Sequence, residues 1–220
     1  MVHVYVIHLK ERTDRKEQFL AATKALQKQA NIHWFPAIKG ATLSDTQLAT
    51  YPMKGKTRKA KAGRVGCYCS HVAALEQAIA KGHFPLLILE DDSLPATAAQ
   101  PLPDLFASAP ETATLLYFGA LPVRRRRTIK NYCGQAPGPQ WQPIRADTQL
   151  YGGHAYGFRT QAAAEEMLVF LKANRVTFDS ALVRYQKKHR DRVAVVCPFQ
   201  FHQAAGMSNI EGVHRPMRRQ

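Results

Sequence analysis

The chain has 220 residues, 45% of them hydrophobic and 9% aromatic, which is enough for one sizeable core. Thirty-one Lys and Arg against sixteen Asp and Glu leave a formal charge of +15, and such a surface attracts polyanions: nucleic acid, anionic phospholipid or a phosphorylated glycolipid. No stretch approaches the roughly 18 consecutive apolar residues of a spanning helix, and there is no recognition-helix, zinc-finger or aromatic RNA-binding pattern, so no nucleic-acid partner is expected.

The opening Val2-His3-Val4-Tyr5-Val6-Ile7 reads as a first strand over residues 2–9 and not as a signal peptide, so a cytoplasmic protein is expected. Thr13 or Asp14 can cap a helix whose apolar face is Phe19, Leu20, Thr23 and Leu26. Residues 33–38 form the next strand, completing a β-α-β unit. The polar, basic residues 41–65 lack periodicity and read as a mobile loop, with Lys59, Lys61 or Arg64 able to reach a phosphate. Residues 66–80 read as a helix ended by Gly82. A short helix is expected near residues 104–108, a buried strand at 114–119 and an irregular loop at 121–147. A strand at 155–158, a helix at 160–173 and a strand at 193–196 follow, before a tail rich in His, Gly and Arg. Alternating strands and helices indicate an α/β fold with one mainly parallel sheet. Cys67, Cys69, Cys133 and Cys197 show no metal spacing and are expected as buried, reduced thiols.

The most informative stretch is the apolar run Leu86-Leu87-Ile88-Leu89, which stops at Glu90-Asp91-Asp92. Four branched aliphatics in a row suit a strand buried on both faces. Three carboxylates cannot continue into that interior, because burying unpaired charge costs several kcal/mol or forces protonation. They therefore emerge at the carboxyl end of the strand, where open α/β sheets bind ligands. Oxygen-only ligands in a cluster suit Mg²⁺ or Mn²⁺; a solvated acidic turn is the plainer alternative.

Several segments, in order, resemble glycosyltransferase family 25, the lipooligosaccharide galactosyltransferases and their relatives. Gly66-Cys67-Tyr68-Cys69-Ser70-His71 resembles the family's Gly-Cys-x-x-Ser-His helix start, and Ile88-Leu89-Glu90-Asp91-Asp92 its acidic signature. Val6-Ile7-His8-Leu9 with Arg12 and Asp14-Arg15, Phe35-Pro36-Ala37-Ile38-Lys39-Gly40, Gly153-His154-Ala155-Tyr156-Gly157-Phe158, Asp179 and Ser208-Asn209-Ile210 are similar to further landmarks. His8 stands where the family commonly has Asn, Arg64 where an acid is frequent, and Asn209 where Asp is common. The resemblance implies a GT-A-like fold over residues 1–220, with 1–120 binding a nucleotide sugar and 121–220 forming an acceptor side and a basic tail. It also implies a UDP-sugar donor, inversion at the anomeric carbon, and a glycolipid or oligosaccharide acceptor.

On that reading Asp92, with Glu90, ligates Mn²⁺ or Mg²⁺ bridging the donor diphosphate, and Glu90 or Asp91 contacts ribose or sugar hydroxyls. Arg12 and Arg15 are placed for uracil or phosphates. Ser70 caps or packs under the uracil, and His71 bonds to the donor or to Glu90; a Ser70–His71 nucleophile–base pair is rejected because adjacent helical residues diverge by about 100°. Asp179 is the expected general base, against an ordinary helix cap, with Asp147 in reserve; His154 and His202 are further possible cation ligands. The Arg124–Arg127 run and Met217-Arg218-Arg219 suit an anionic membrane face. The expected function is therefore transfer of a hexose, galactose first, from a UDP-sugar to lipooligosaccharide at the inner face of a bacterial inner membrane. A non-catalytic polyanion-binding module, or a family member that binds UDP-sugar without transfer, are the alternatives.

Overall fold

The structure is a computed structural model that describes residues 1–97, 99–129, 131–134, 138–207 and 214–215, with side chains described through residue 205. Asn209 and the Met217-Arg218-Arg219 tail lie outside the described residues. In chain order the elements are β1 (Val2–His8), α1 (Thr13–Ala22), β2 (Ala30–Pro36), α2 (Asp45–Ala49), α3 (Arg58–Ala80), β3 (Leu86–Glu90), β4 (Ser93–Pro95) and α4 (Leu102–Ala107). They continue with β5 (Leu115–Arg124), β6 (Arg127–Thr128), β7 (Gln140–Pro143), β8 (Gln149–Phe158), α5 (Gln161–Ala173), α6 (Phe178–Lys188), β9 (Val193–Cys197), β10 (Phe201–Gln203), β11 (Gly206–Met207) and β12 (His214–Arg215).

An eight-stranded sheet in the order β2-β1-β3-β8-β5-β9-β7, with β6 on β5, runs through both halves of the chain. Strands β1, β2, β3, β5 and β9 point one way, while β6, β7 and β8 point the other. The fold is α/β with a central sheet of mainly one direction, and β8 is wedged antiparallel between β3 and β5.

Successive strand residues face opposite sides of a sheet, and the two cores follow that rule. Tyr5, Ile7, Leu86, Ile88, Leu115 and Tyr117 pack beneath α3, α5 and α6 on one face. Val4, Val6, Leu87, Leu89, Leu116 and Phe118 pack with Phe19 of α1 and Leu105 and Phe106 of α4 on the other. With both faces covered, the strand interiors read as unbroken aliphatic runs.

Three expectations are corrected. The basic stretch before Gly66 is not a loop: α3 begins at Arg58, because the Thr57 hydroxyl accepts from the Ala60 backbone N–H at 3.1 Å and the Lys, Arg and Ala that follow are good helix formers. Within the same stretch, Ser44 and Gln47 close a capping box that starts α2. Helix α1 is preceded by Arg12, with no side-chain cap from Thr13 or Asp14. Cys133 and Cys197 are joined in a disulfide with Cα atoms 5.2 Å apart, whereas Cys67 and Cys69 are free; β9 ends beside the segment 131–134, a proximity that their 64-residue separation conceals. Among the described residues no helix is long and apolar enough to cross a membrane.

Candidate functional site

The parallel strands β1, β2 and β3 end together, and a cleft of about 590 Å³ opens at their carboxyl ends. Its walls come from the turn after β1, the segment after β2, the first half of α3, the acidic end of β3 and Gln203–Ala204 at the end of β10. Two glycines let helix and loop meet. A Cβ on Gly66 would lie 2.6 Å from the Ile38 carbonyl oxygen and 2.7 Å from the Gly40 nitrogen, and one on Gly40 would overlap the Ala62 carbonyl. Only hydrogen fits at that crossing.

Arg12, Arg15, Ser70, His71, Glu90, Asp91 and Asp92 all line this one cleft, with Lys59 from the start of α3. Their situations differ. Asp91 is 6% exposed; His8 Nδ1 donates to its Oδ2 at 3.0 Å and Arg15 Nη1 to its Oδ1 at 2.7 Å. Both oxygens therefore serve to fasten the acidic turn to β1 and α1. The same Arg15 nitrogen lies 3.2 Å from Asp92 Oδ2, so one guanidinium spans two carboxylates. Arg12 forms a fork with Asp14 at 2.8 and 2.7 Å.

Asp92 is strongly perturbed. Burial, followed by repulsion from Glu90, raises its carboxyl to about 7, against the pull of Arg15. Its Oδ1 is buried with no hydrogen-bond partner among the described residues. A buried carboxylate oxygen left without a donor is costly unless a cation faces it, and a second carboxylate, Glu90, lines the same floor. This all-oxygen donor set fits Mg²⁺ or Mn²⁺. Glu90 also groups with Cys67 and His71, whose potential ligand atoms lie within 4.8 Å of one another. That set is less suited to a hard cation, because burial pushes the Cys67 thiol well up and Glu90 pushes it further.

His71 is 1% exposed and lies flat on Phe178, with ring centroids 3.8 Å apart. Its Nδ1 meets the Tyr156 hydroxyl at 3.0 Å and its Nε2 is 3.5 Å from Glu90. Burial drops its pKa to about 3, so it is a neutral imidazole that positions Glu90. Ser70 donates to the Gly66 carbonyl at 2.7 Å and accepts from the Ile38 N–H at 2.8 Å. The hydroxyl is thus spent on tying α3 to the end of β2, and it shapes the cleft from behind.

The remaining candidates lie elsewhere. Asp179 is exposed in the first turn of α6, after Thr177, which is the residue preceding the helix; it is not a lining residue, yet its charge reaches His71 and Cys67. Asp147 pairs with Arg124 at 3.1 Å in a separate depression lined by Arg124, Arg125 and Arg127, which separates the reserve base from the cleft. His154 in β8 and His202 in β10 do not line the cleft, and neither do Lys61 and Arg64. Arg64 donates to the Lys54 carbonyl. Gln203 is not legible in the sequence as a site residue. It bonds to Asp92, and the Asp92 carbonyl accepts from the Ala204 N–H at 2.8 Å; a three-residue strand in a polar tail carries no periodic signal that points there. Arg58 and Lys39 complete the basic rim.

The model of glycosyltransferase family 25 (LPS biosynthesis protein) matches residues 1–120, more than half of the chain. The chain belongs to glycosyltransferase family 25. The match contains every lining residue except Gln203 and Ala204. Two family 25 members from the mosquitoes Aedes aegypti and Anopheles gambiae are 30% and 31% identical over 98 residues, 41% of this chain. The chain covers only 16% of the length of each. Among solved structures, the galactosyltransferase LgtC, in complex with donor and acceptor sugar analogs, aligns over 88% of this chain and 73% of its own. Its TM-score is 0.42 and its identity 12%, too distant for any residue to be carried over.

Proposed function

We propose that this family 25 protein is an inverting glycosyltransferase that moves a hexose, galactose first, from a UDP-sugar to a sugar hydroxyl of a lipooligosaccharide. The observation carrying this reading is the charge layout of the cleft. Glu90 and Asp92 form an acidic floor, in which one Asp92 oxygen has no hydrogen-bond partner among the described residues, beneath a rim of Arg12, Arg15, Lys39, Arg58 and Lys59. A floor that attracts a cation under a rim that attracts phosphate matches a nucleoside diphosphate held through a metal.

Asp92, with Glu90, would hold Mn²⁺ or Mg²⁺, which supplies positive charge against the diphosphate leaving group. Arg12 and Lys59 flank the phosphates, while Arg15 keeps Asp91 and Asp92 in place. Neutral His71, braced by Phe178 and Tyr156, orients Glu90 towards the sugar. Asp179, exposed one residue beyond Phe178, takes the proton of the acceptor hydroxyl as the glycosidic bond forms and the C–O bond to UDP breaks. Residues 1–120 thus serve the donor and the second half the acceptor, with the Arg124–Arg127 turn facing anionic lipid at the inner leaflet.

Calorimetric titration with UDP, in Mn²⁺ and then in EDTA, tests the reading. The expected result is binding that requires metal and is lost in Asp92→Ala, together with at least a hundredfold loss of transfer in Asp179→Asn. Metal-dependent UDP binding without turnover over a donor and acceptor panel would leave a binding protein instead. No UDP binding in either condition, with salt-sensitive binding to anionic polymers, would favour a polyanion module.

A further inference from the structure

Three histidines meet at the opposite end of the sheet from the cleft. Strand β1 pairs with β2 so that Tyr5 lies beside His33; His3, two residues before Tyr5, shares that face, which sets His3 and His33 on a diagonal. His83 arrives from the turn between α3 and β3. There the Gly82 N–H donates to the Ile79 carbonyl and the His83 N–H to the Ala78 carbonyl, both at 3.0 Å, with Gly82 at φ +63°. This is a Schellman closure of α3, which turns the chain back over the sheet at the residue after the glycine. The His3 N–H then donates to the Pro85 carbonyl at 2.9 Å, locking the turn to β1.

We propose that His3, His33 and His83 form a binding site for one zinc-type transition-metal ion, with solvent in the fourth position. Their potential ligand atoms lie within 4.8 Å of one another, and all three side chains are half-buried, reachable by a hydrated ion. His3 Nδ1 and His33 Nε2 are 3.1 Å apart, near the roughly 3.3 Å that separates two nitrogens on a tetrahedral ion with metal–nitrogen bonds of about 2.0–2.1 Å. One proton joins those nitrogens; when a dication takes its place, that proton moves through solvent to the other ring nitrogen of the donating histidine, so both rings ligate as neutral imidazoles. His83 Nδ1 is held by the Tyr5 hydroxyl at 3.0 Å, and that hydroxyl also bonds to Gln77. This leaves Nε2 for the ion and gives His83 the outer-shell partner that ligating imidazoles usually have.

The three rings are stacked, with centroids 4.2–5.3 Å apart. Turning the nitrogens inward takes rotation about χ2, a broad torsion for histidine. Burial lowers all three pKa values, with repulsion from His83 adding to it at His3 and His33 and from Lys81 at His83, which keeps the rings neutral and able to ligate. Three imidazoles and no carboxylate select zinc-type ions over Mg²⁺ or Mn²⁺, so this site does not compete for the cation proposed at Asp92. It lies about 17 Å from His8 along β1, at roughly 3.3 Å per residue. A bound ion would clamp β1, β2 and the α3–β3 turn.

The test uses the full chain without a purification tag, stripped with EDTA and titrated with Zn²⁺ against a chromophoric chelator. The background is Glu90→Gln, so that the Cys67–His71–Glu90 group is disabled. One Zn²⁺ per chain is expected, with affinity weakened at least tenfold by His83→Ala and by His33→Gln. Co²⁺ in the same protein should give the intense absorption of a four-coordinate ion, lost with His83→Ala. His83 sits in a half-exposed turn, so its replacement leaves a folded chain to measure, checked by circular dichroism. Zn²⁺ binding that disappears with Glu90→Gln alone, binding indifferent to His83 and His33, or Co²⁺ with the weak spectrum of its six-coordinate hydrate would overturn the proposal.

Discussion

At the scale of single residues, Asp92 carries a conflict between stability and use. Its carboxyl titrates at about 7 in the folded protein, raised by burial and by Glu90, against an ordinary value near 3.9 in an unfolded chain. The folded state therefore holds the proton more tightly. Below about pH 4 both states are protonated and there is no penalty. Between there and pH 7 ionisation increasingly destabilises the fold, and above pH 7 the cost is complete. Asp92→Asn keeps an acceptor for Arg15 and removes the charge, so the variant is expected to be more stable than the parent by on the order of 2 kcal/mol at pH 8. That gain should shrink to nothing near pH 4, while metal-dependent UDP binding is lost. Thermal melts of both proteins from pH 4 to 8 check it; a variant less stable at pH 8 would remove the strain assigned here. The carboxylates could be read in the chain because charge that interrupts a buried run has nowhere else to go. The partnerships of Asp91 with His8 and Arg15 could not, since they join residues 76 and 83 positions apart.

At the scale of elements, one helix sets the shape of the cleft. Helix α3 crosses the end of β2 closely enough that Gly66 touches backbone, and Ser70 bonds across the same gap to the Ile38 N–H. Alanine is worth about 1 kcal/mol over glycine inside a helix. A methyl 2.6 Å from the Ile38 oxygen and 2.7 Å from the Gly40 nitrogen meets backbone at both points, and overpacking of that kind costs roughly 1–3 kcal/mol. With backbone on both sides the second effect is the larger, so Gly66→Ala is expected to be destabilised by up to about 2 kcal/mol in urea unfolding and to bind UDP more weakly as the wall moves. A more stable Gly66→Ala would show that the crossing has slack. Strands β1 and β3 and helix α5 were legible because their burial is periodic or continuous. The start of α3 was not, because in residues 58–64 the Lys, Arg and Ala carry helix propensity without an apolar stripe, Gly63 opposes it, and the cap at Thr57 looks like any loop threonine. Strands β6, β7 and β10 are too short for periodicity to mark; pairing with a neighbour defines them.

At the scale of the whole molecule, the Cys133–Cys197 bond links the half that follows β5 to the last strand of the main sheet. Beyond Cys197 the chain needs only a few residues to reach β10, whose Gln203 bonds to Asp92. The bond therefore steadies the cleft's far wall at a distance. Closing a loop of 64 residues restricts the unfolded chain strongly enough for about 2–4 kcal/mol. For a chain of this size each kcal/mol moves the melting temperature by about 2–4 °C, so reduction should lower it by roughly 5–15 °C. Thiol counting on the denatured protein supplies the control: two reactive thiols before reduction, Cys67 and Cys69, and four after it. Disulfides persist in oxidising compartments and are rare where glutathione and thioredoxin keep thiols reduced. At an inner-leaflet site of action the protein would thus work without this bond and at the lower stability. Four reactive thiols in the untreated protein, or a melt indifferent to reductant, would remove the bond from the account and leave β10 held by its pairing with β4, the contacts of Gln203 and Ala204 with Asp92 and the burial of Phe201.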